Sequence, residues 1–191
     1  MAELTWQHRS YADVTEPTPY GETTTYERGF AWLAEACATV EDWGCGSAWG
    51  RRYWTSGGYT GIDGSPETSR FADVLADLRT YISSRPDGIF MRHVLEHNGE
   101  WPLVLTNALA SFRRRMVLVL FTPFGLSTTR LDNGPGLDLS FRQEDITAFF
   151  DAAGLSWRLE TLTTDTQYHV EHIFCVTHTP GPVVANRDGA E

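Results

Sequence analysis

The sequence has no lysine: all 15 of its basic residues are arginine, set against 25 acidic residues for a formal net charge of -10. Gripping a nucleic-acid backbone needs clustered positive charge, so this composition argues against that class of function. The single basic run, Arg113 to Arg115, reads as a solvated turn between a helix and a strand. Cysteine is scarce as well. Cys37, Cys45 and Cys175 are odd in number, widely spaced and form no C-x-x-C pair, which excludes a disulfide framework and a zinc knuckle. No stretch approaches the ~18 consecutive apolar residues of a membrane span. The N-terminal MAELTWQHRSYADV has no basic segment followed by an apolar one, so no leader peptide is expected. Together these absences predict a cytoplasmic protein with no membrane partner.

What is present fits one folded domain. At 191 residues, with 41% hydrophobic and 21% charged residues, the chain is long and apolar enough to build a core and too apolar to be disordered. Residues 1–25 are polar and aromatic and read as an N-terminal arm or lid, residues 26–178 as the domain, and residues 179–191 as a frayed tail.

Within the domain, strand-like and helix-like segments alternate. A helix is predicted from about Tyr26 to Ala38, with Phe30, Leu33, Ala34 and Cys37 on one face. Strands are predicted at TVEDW (39–43), YTGID (59–63), DVLAD (73–77) and GIFMR (88–92). WPLVLTNALASF (101–112) has helical spacing, and MVLVLF (116–121) is the continuous apolar run of a parallel strand covered on both faces. Residues 122–139 read as a long functional loop. SFRQEDITAFFDAAG reads as a helix with a Ser140–Gln143 capping box and a Gly154 stop. LSWRLETLTT and HVEHIFCVTH then read as an antiparallel hairpin. Such alternation implies an α/β fold with helices on both faces of a mostly parallel sheet, and in these sheets ligands sit at the carboxyl ends of the strands.

Those ends carry the chemistry. The first strand runs into DWGCGSAWG, with Asp42, Gly44, Gly46 and Gly50; glycine lets the backbone turn sharply and approach a ligand. The second ends at Asp63, where a carboxylate can accept both hydroxyls of a ribose. The third ends at Asp77 and the fourth at Arg92–His93. The segment from His93 to His97 also spells H-x-x-E-H, a zinc-peptidase order. Gly99 and Pro102 leave little room for the helix that reading needs, and no third ligand stands out, so no metal is expected. His97 and Glu96 read as structural, and His169, His172 and His178 are assigned no chemistry.

The ordered series VEDWGCGS, YTGIDGS, ADLR and MRHVLEH resembles the motifs of class I S-adenosylmethionine-dependent methyltransferases over residues 26–178. The resemblance implies their doubly wound, Rossmann-like seven-stranded sheet with an antiparallel C-terminal hairpin. It places Asp42 and the backbone of Gly44, Cys45 and Gly46 against the methionine end of S-adenosyl-L-methionine, and Asp63 on the ribose. Ser65 would lie beside the adenosine, with Asp77 and Leu78 at the adenine edge. Arg92 and His93 would lie near the sulfonium, with His93 the candidate catalytic group. The acceptor would be a small molecule rather than nucleic acid, contacted by Tyr11, Tyr20 and Tyr26 and by the loop 122–139. The alternatives are a nicotinamide-dependent oxidoreductase, from Gly44-x-Gly46-x-x-x-Gly50, and a protein that binds the cofactor without catalysis.

Three features depart from the family pattern. Glu41 stands where an apolar residue is usual, so it must reach solvent or an arginine. The link GSPETSRFA after Asp63 is too short for a crossover helix. Trp43 and Trp49 crowd the glycine turn, where packing under the sheet is the expected role.

Overall fold

The computed structural model of the protein describes residue 11 and residues 13–132 and 136–178; the expected tail 179–191 and the first ten positions of the arm lie outside these. The chain order is α1 (Thr24–Ala34), β1 (Thr39–Trp43), β2 (Gly58–Asp63), β3 (Val74–Leu75), β4 (Gly88–Arg92), α2 (Trp101–Ser111), β5 (Arg115–Leu120), β6 (Thr129–Leu131), β7 (Asp138–Ser140), α3 (Gln143–Ala152), β8 (Leu155–Leu162) and β9 (Glu171–His178). Seven strands form one sheet in the order β3-β2-β1-β4-β5-β9-β8. The first five are parallel, while β9 runs antiparallel between β5 and β8. The expected doubly wound sheet and C-terminal hairpin are both present.

The central strands read as they do because both faces are covered. Every residue of β4, and all of β5 after Arg115, is buried. On one face Leu105 and Phe112 of the α2 segment and Phe150 of α3 pack with Phe174 and Met116. On the other face α1 contributes Phe30 and Leu33 against Phe90 and Val117, with the Phe30 and Phe90 rings 4.3 Å apart. The helix expected to reach Ala38 stops at Ala34, and Cys37 is buried just beyond it.

The β2–β3 connection is a single 3₁₀ turn, Pro66–Thr68, so the crossover helix is missing as its length predicts. Asp73 closes this short link by accepting from the Gly61 amide at 2.7 Å and from Arg51 at 2.6 Å. No helix separates β3 from β4 either.

Several details correct the sequence reading. The segment 122–139 is not all loop: β6 and β7 pair in a small antiparallel sheet. Ser140 does not cap α3. It lies in β7 and donates to Pro123 O at 2.7 Å, and Arg142 occupies the cap position. Gly154 does end α3, in the left-handed region at φ +65, with its amide donating to Asp151 O at 3.0 Å. Glu41 is kept from solvent and meets no arginine among the described residues. It is buried and accepts from the Trp43 indole at 2.8 Å and from the Ser83 hydroxyl, which satisfies the carboxylate locally. Trp43 packs fully buried against Tyr81, the structural role expected of it. Of the Arg113–Arg115 run, Arg113 and Arg114 are exposed around Asp87, whereas Arg115 is drawn onto β5 and reaches Glu35 at 2.8 Å.

Candidate active site

The carboxyl ends of β1, β2 and β4 and the residues after β3 share one cavity of about 590 Å³, a size suited to a small organic ligand. Gly44, Cys45, Gly46 and Ser47 form one wall, Asp63, Gly64 and Ser65 a second, and Asp77 and Leu78 a third. Arg92, His93, Val94, His97 and Asn98 line the far side, and Tyr11, Val14, Thr18, Pro19, Tyr20 and Tyr26 lie across it. Of the individual residues expected to bind cofactor or acceptor, all but Asp42 therefore line one space, whereas no described residue of the expected acceptor loop 122–139 lines it.

The glycine turn is built for close approach. Gly44 has φ +73 and Gly46 φ +54. A Cβ on Gly44 would collide with Val94 Cγ2, and one on Gly46 with the Tyr11 hydroxyl. The turn is fixed by the amides of Gly44 and Cys45, which donate to Ile62 O at 2.7 and 3.0 Å. The Cys45 thiol tucks against Gly61 of β2, and burial pushes its ionisation upward.

Asp63 does two jobs at once. Its Oδ2 accepts from the Gly46 amide at 2.9 Å and its Oδ1 from the Ser65 amide at 2.8 Å, so it clasps the two walls together. Burial raises its pKa, and these amide donors work against that rise. Hydrogen bonds from the Thr68 side chain and the Gly64 amide act on the same carboxylate in the same sense. Asp77 stands exposed at the rim and is held by Arg79, whose guanidinium also reaches Glu100 at 2.7 Å; the Arg79 hydrogen bonds hold the Asp77 pKa low.

Asp42 is placed differently from expectation. Its carboxylate is buried beneath the turn, close to Gly50, and accepts from the Tyr59 hydroxyl at 2.5 Å. Burial raises its pKa to about 7. It supports the turn from below and does not line the cavity.

Arg92 is also committed elsewhere. Its Nε donates to Thr25 Oγ1 at 2.8 Å, Nη1 to Tyr20 O at 2.9 Å and Nη2 to Glu22 O at 3.1 Å. It pairs with the fully buried Glu171 at 2.8 Å and lies over the Tyr26 ring at 4.4 Å. Tyr26 itself is core, stacked near Phe90 and Tyr53, and burial pushes its phenol up to about 12. The described part of the arm is thus tied down at several points. Besides Arg92, Ser47 Oγ accepts from the Thr18 amide at 3.0 Å and donates to Thr18 O at 2.8 Å, and the Tyr11 amide donates to Glu67 at 3.0 Å.

His93 has φ +57, and its Nε2 lies 2.6 Å from Glu171 Oε1 while its Nδ1 is buried with no partner among the described residues. Burial first, and then Arg92, hold its pKa well below the usual value, so the ring is neutral. His93 lines the cavity, but in this arrangement Nε2 is engaged by Glu171 and Nδ1 is buried. The zinc-peptidase helix does not exist. A single 3₁₀ turn covers Leu95–His97, and no group of three metal-ligating side chains gathers among the described residues.

His97, expected to be structural, instead faces the cavity. Its Nδ1 is 2.9 Å from Leu137 O and 3.2 Å from Asp138 Oδ1. Burial opposes charge on the ring, but Asp138 and Glu96 outweigh it and the His97 pKa is raised. Asp138 in turn accepts from the Tyr168 hydroxyl at 2.9 Å. Beside it Glu96 is fully buried, accepts from the Phe121 amide at 2.6 Å and has its pKa raised by burial to about 7. Sequence reasoning missed Ser47, Asp138 and Glu171. A carboxylate at the head of β9, just before its apolar run, was the visible signal for Glu171; for Asp138, inside a loop-like stretch, there was none.

No protein-family model matches the sequence, and no curated protein matches it. Solved structures do. Magnesium protoporphyrin IX methyltransferase from Synechocystis PCC 6803 with bound SAM superposes with a TM-score of 0.67 at 17% identity, covering 94% of this chain and 99% of that one. This is the class I methyltransferase fold. Burkholderia thailandensis 1,6-didemethyltoxoflavin-N1-methyltransferase, solved with bound 1,6-didemethyltoxoflavin and S-adenosylhomocysteine, gives a TM-score of 0.63 at 16% identity over 82% of this chain and 78% of that one. The cyclase SpnF gives 0.65 at 13% identity over 93% of both chains. A cyclase among these neighbours is a reminder that this fold carries more than one chemistry, so function must be argued from the site.

Proposed function

We propose that this protein is an S-adenosyl-L-methionine-dependent methyltransferase acting on a small-molecule acceptor. The observation that carries the reading is the convergence of a bare glycine turn with Asp63, Ser65, Asp77 and Leu78 on one cavity at the carboxyl end of the parallel strands. The donor set suits a nucleoside with a charged amino-acid tail: acids for hydroxyl and amino groups, open backbone at Gly44 to Gly46, and no lysine. Several neighbours of this fold were solved with SAM or SAH, which supports the same cofactor here.

When bound, the cofactor supplies an electrophilic methyl group on a sulfonium. Asp63 would hold the ribose while keeping the two walls in register, Asp77 and Leu78 would meet the adenine edge, and the Gly44–Gly46 backbone would take the methionine end. The arm would serve as the lid, excluding water and bringing Tyr11 and Tyr20 toward the acceptor. Positioning of this kind supplies several kcal/mol of a transfer barrier.

A nicotinamide dinucleotide fits less well. Its pyrophosphate needs the N-terminus of a helix after the glycine turn. Here the turn leads into a five-residue 3₁₀ segment, Trp49–Tyr53, with Asp42 buried beneath.

Calorimetric titration with S-adenosylhomocysteine and with NADH tests the proposal. Micromolar binding of the former is expected, weakened roughly ten- to a hundredfold in Asp63→Ala for the loss of hydrogen bonds at ~1.5–3 kcal/mol. Binding of NADH alone overturns the reading.

A further inference from the structure

We infer that His97 is the general base of the reaction and that the acceptor is a planar phenol or enol hydroxyl. The inference rests on the methyl-transfer reading above.

The hydrogen-bond chemistry of the ring fixes its tautomer. Nδ1 faces two oxygens, Leu137 O at 2.9 Å and Asp138 Oδ1 at 3.2 Å. A carbonyl can only accept, so Nδ1 carries the hydrogen, and the lone pair of the neutral ring resides on Nε2. His97 lines the cavity, and Nε2 is the nitrogen it can offer there. A histidine whose Nδ1–H is held by a carbonyl with a carboxylate 3.2 Å away, and whose Nε2 is turned to a substrate, is oriented to take a proton and is stabilised once it has done so. His93 cannot share the task, because its Nε2 is held by Glu171 and its Nδ1 is sealed.

His97 also stands on the acceptor side. Its ring is 5.5 Å from that of Phe121, which follows β5, whereas Asp63 and Asp77 belong to the β2 and β3 side of the strand order. The groups facing it are Asp138 and Glu96, both acidic, the neutral His93, and Tyr168 through Asp138. Tyr20 stands edge-on to His93 at 5.7 Å and to Phe121 at 6.3 Å, so the wall beside His97 is aromatic and suits a flat ring.

A base narrows the acceptor class. A neutral amine attacks through its own lone pair, whereas a hydroxyl must shed its proton. A phenol, with a pKa of about 10, lies within reach of an imidazole. In the step, the acceptor O–H bond breaks and its proton passes to Nε2. The electron pair left on oxygen forms the new O–C bond to the methyl carbon. The old C–S bond breaks with its pair on sulfur, and the imidazolium, held by Asp138, later releases the proton to water.

The test uses the full chain. Histidine-labelled protein examined by ¹H–¹⁵N NMR is expected to show the Nδ1–H tautomer at His97 in its neutral form; the opposite tautomer overturns the assignment. Transfer of labelled methyl from S-adenosylmethionine to a panel of phenols and matched anilines is expected for phenols, with kcat reduced about 10²–10⁴-fold in His97→Gln. In the same variant the affinity for S-adenosylhomocysteine is expected to stay within about twofold, since 1.4 kcal/mol would already be tenfold. Because the base must be neutral, kcat/KM is expected to rise with pH, and Asp138→Asn, which removes a positioning residue, moves the midpoint down. Transfer only to anilines, transfer to no phenol, or an undiminished His97→Gln overturns the proposal. Failure of the wild type to bind S-adenosylhomocysteine would overturn methyl transfer itself, and the tautomer would still be read.

Discussion

Gly44 shows how tightly single residues are specified at the rim. It needs a positive φ, and Val94 from the β4 side occupies the space where its side chain would be. Gly44→Ala is expected to cost about 1–3 kcal/mol for the strained backbone alone. A double-mutant cycle with Val94→Ala separates the collision from the strain. If the collision matters, the urea midpoint of the double variant lies above the sum of the two single losses. The sequence announced this position because a glycine turn after a strand is a local signal. It also announced Asp63 and Asp77, which end their strands. It did not foresee that Asp42 lies beneath the turn, that Arg92 and His93 are engaged by Glu171, or that His97 faces the cavity, because the direction in which a side chain leaves a strand end depends on packing partners remote in sequence. Arg92 is turned by Glu171 and the arm, and His97 is turned by Asp138; neither partner lies within reach of a local pattern.

Among the elements, the arm and β9 form a unit. Thr25, Arg92 and His93 all converge on the Glu171 carboxylate, which is fully buried at the start of β9. Removing the cation leaves that charge without its partner, so Arg92→Met is expected to destabilise by about 3–5 kcal/mol. Limited proteolysis should then cut within residues 13–22 faster than in the wild type. Adding Glu171→Gln should restore part of the stability, and no recovery would mean the pair is not the reason for the loss. The long strands and helices were legible here because burial on both faces, or on one, writes its period into the sequence. The boundaries of α3 and the pairing of β6 with β7 were not, since Ser140 satisfies a strand carbonyl instead of a helix terminus and so short a ladder leaves no periodic trace.

Over the whole molecule, pH should act through buried acids. Asp42 and Glu96 both have pKa values raised to about 7, in each case chiefly by burial. A carboxyl raised in the folded state above its unfolded value of about 4 adds stability that is complete at low pH and lost as pH rises through about 7. The thermal midpoint should therefore fall between about pH 5 and pH 8, and Asp42→Asn should flatten the slope while sparing the Tyr59 contact. At about 2–4 °C per kcal/mol for a chain of this size, the change is measurable by scanning calorimetry. A wild-type midpoint that climbs over that range would count against burial of these two acids in their protonated form.

The Glu171 node also bears on the order in which the molecule can assemble. Its partner Thr25 precedes it by 146 positions, and β9 must slot between β5 and β8 before the sheet is continuous. Thr25 can therefore be fastened to Glu171 only after nearly all of the domain has left the ribosome. Such distant pairings slow folding, because the closing of a long loop precedes any reward. A nascent chain arrested before residue 171 would carry its first helix and the arm still unfastened.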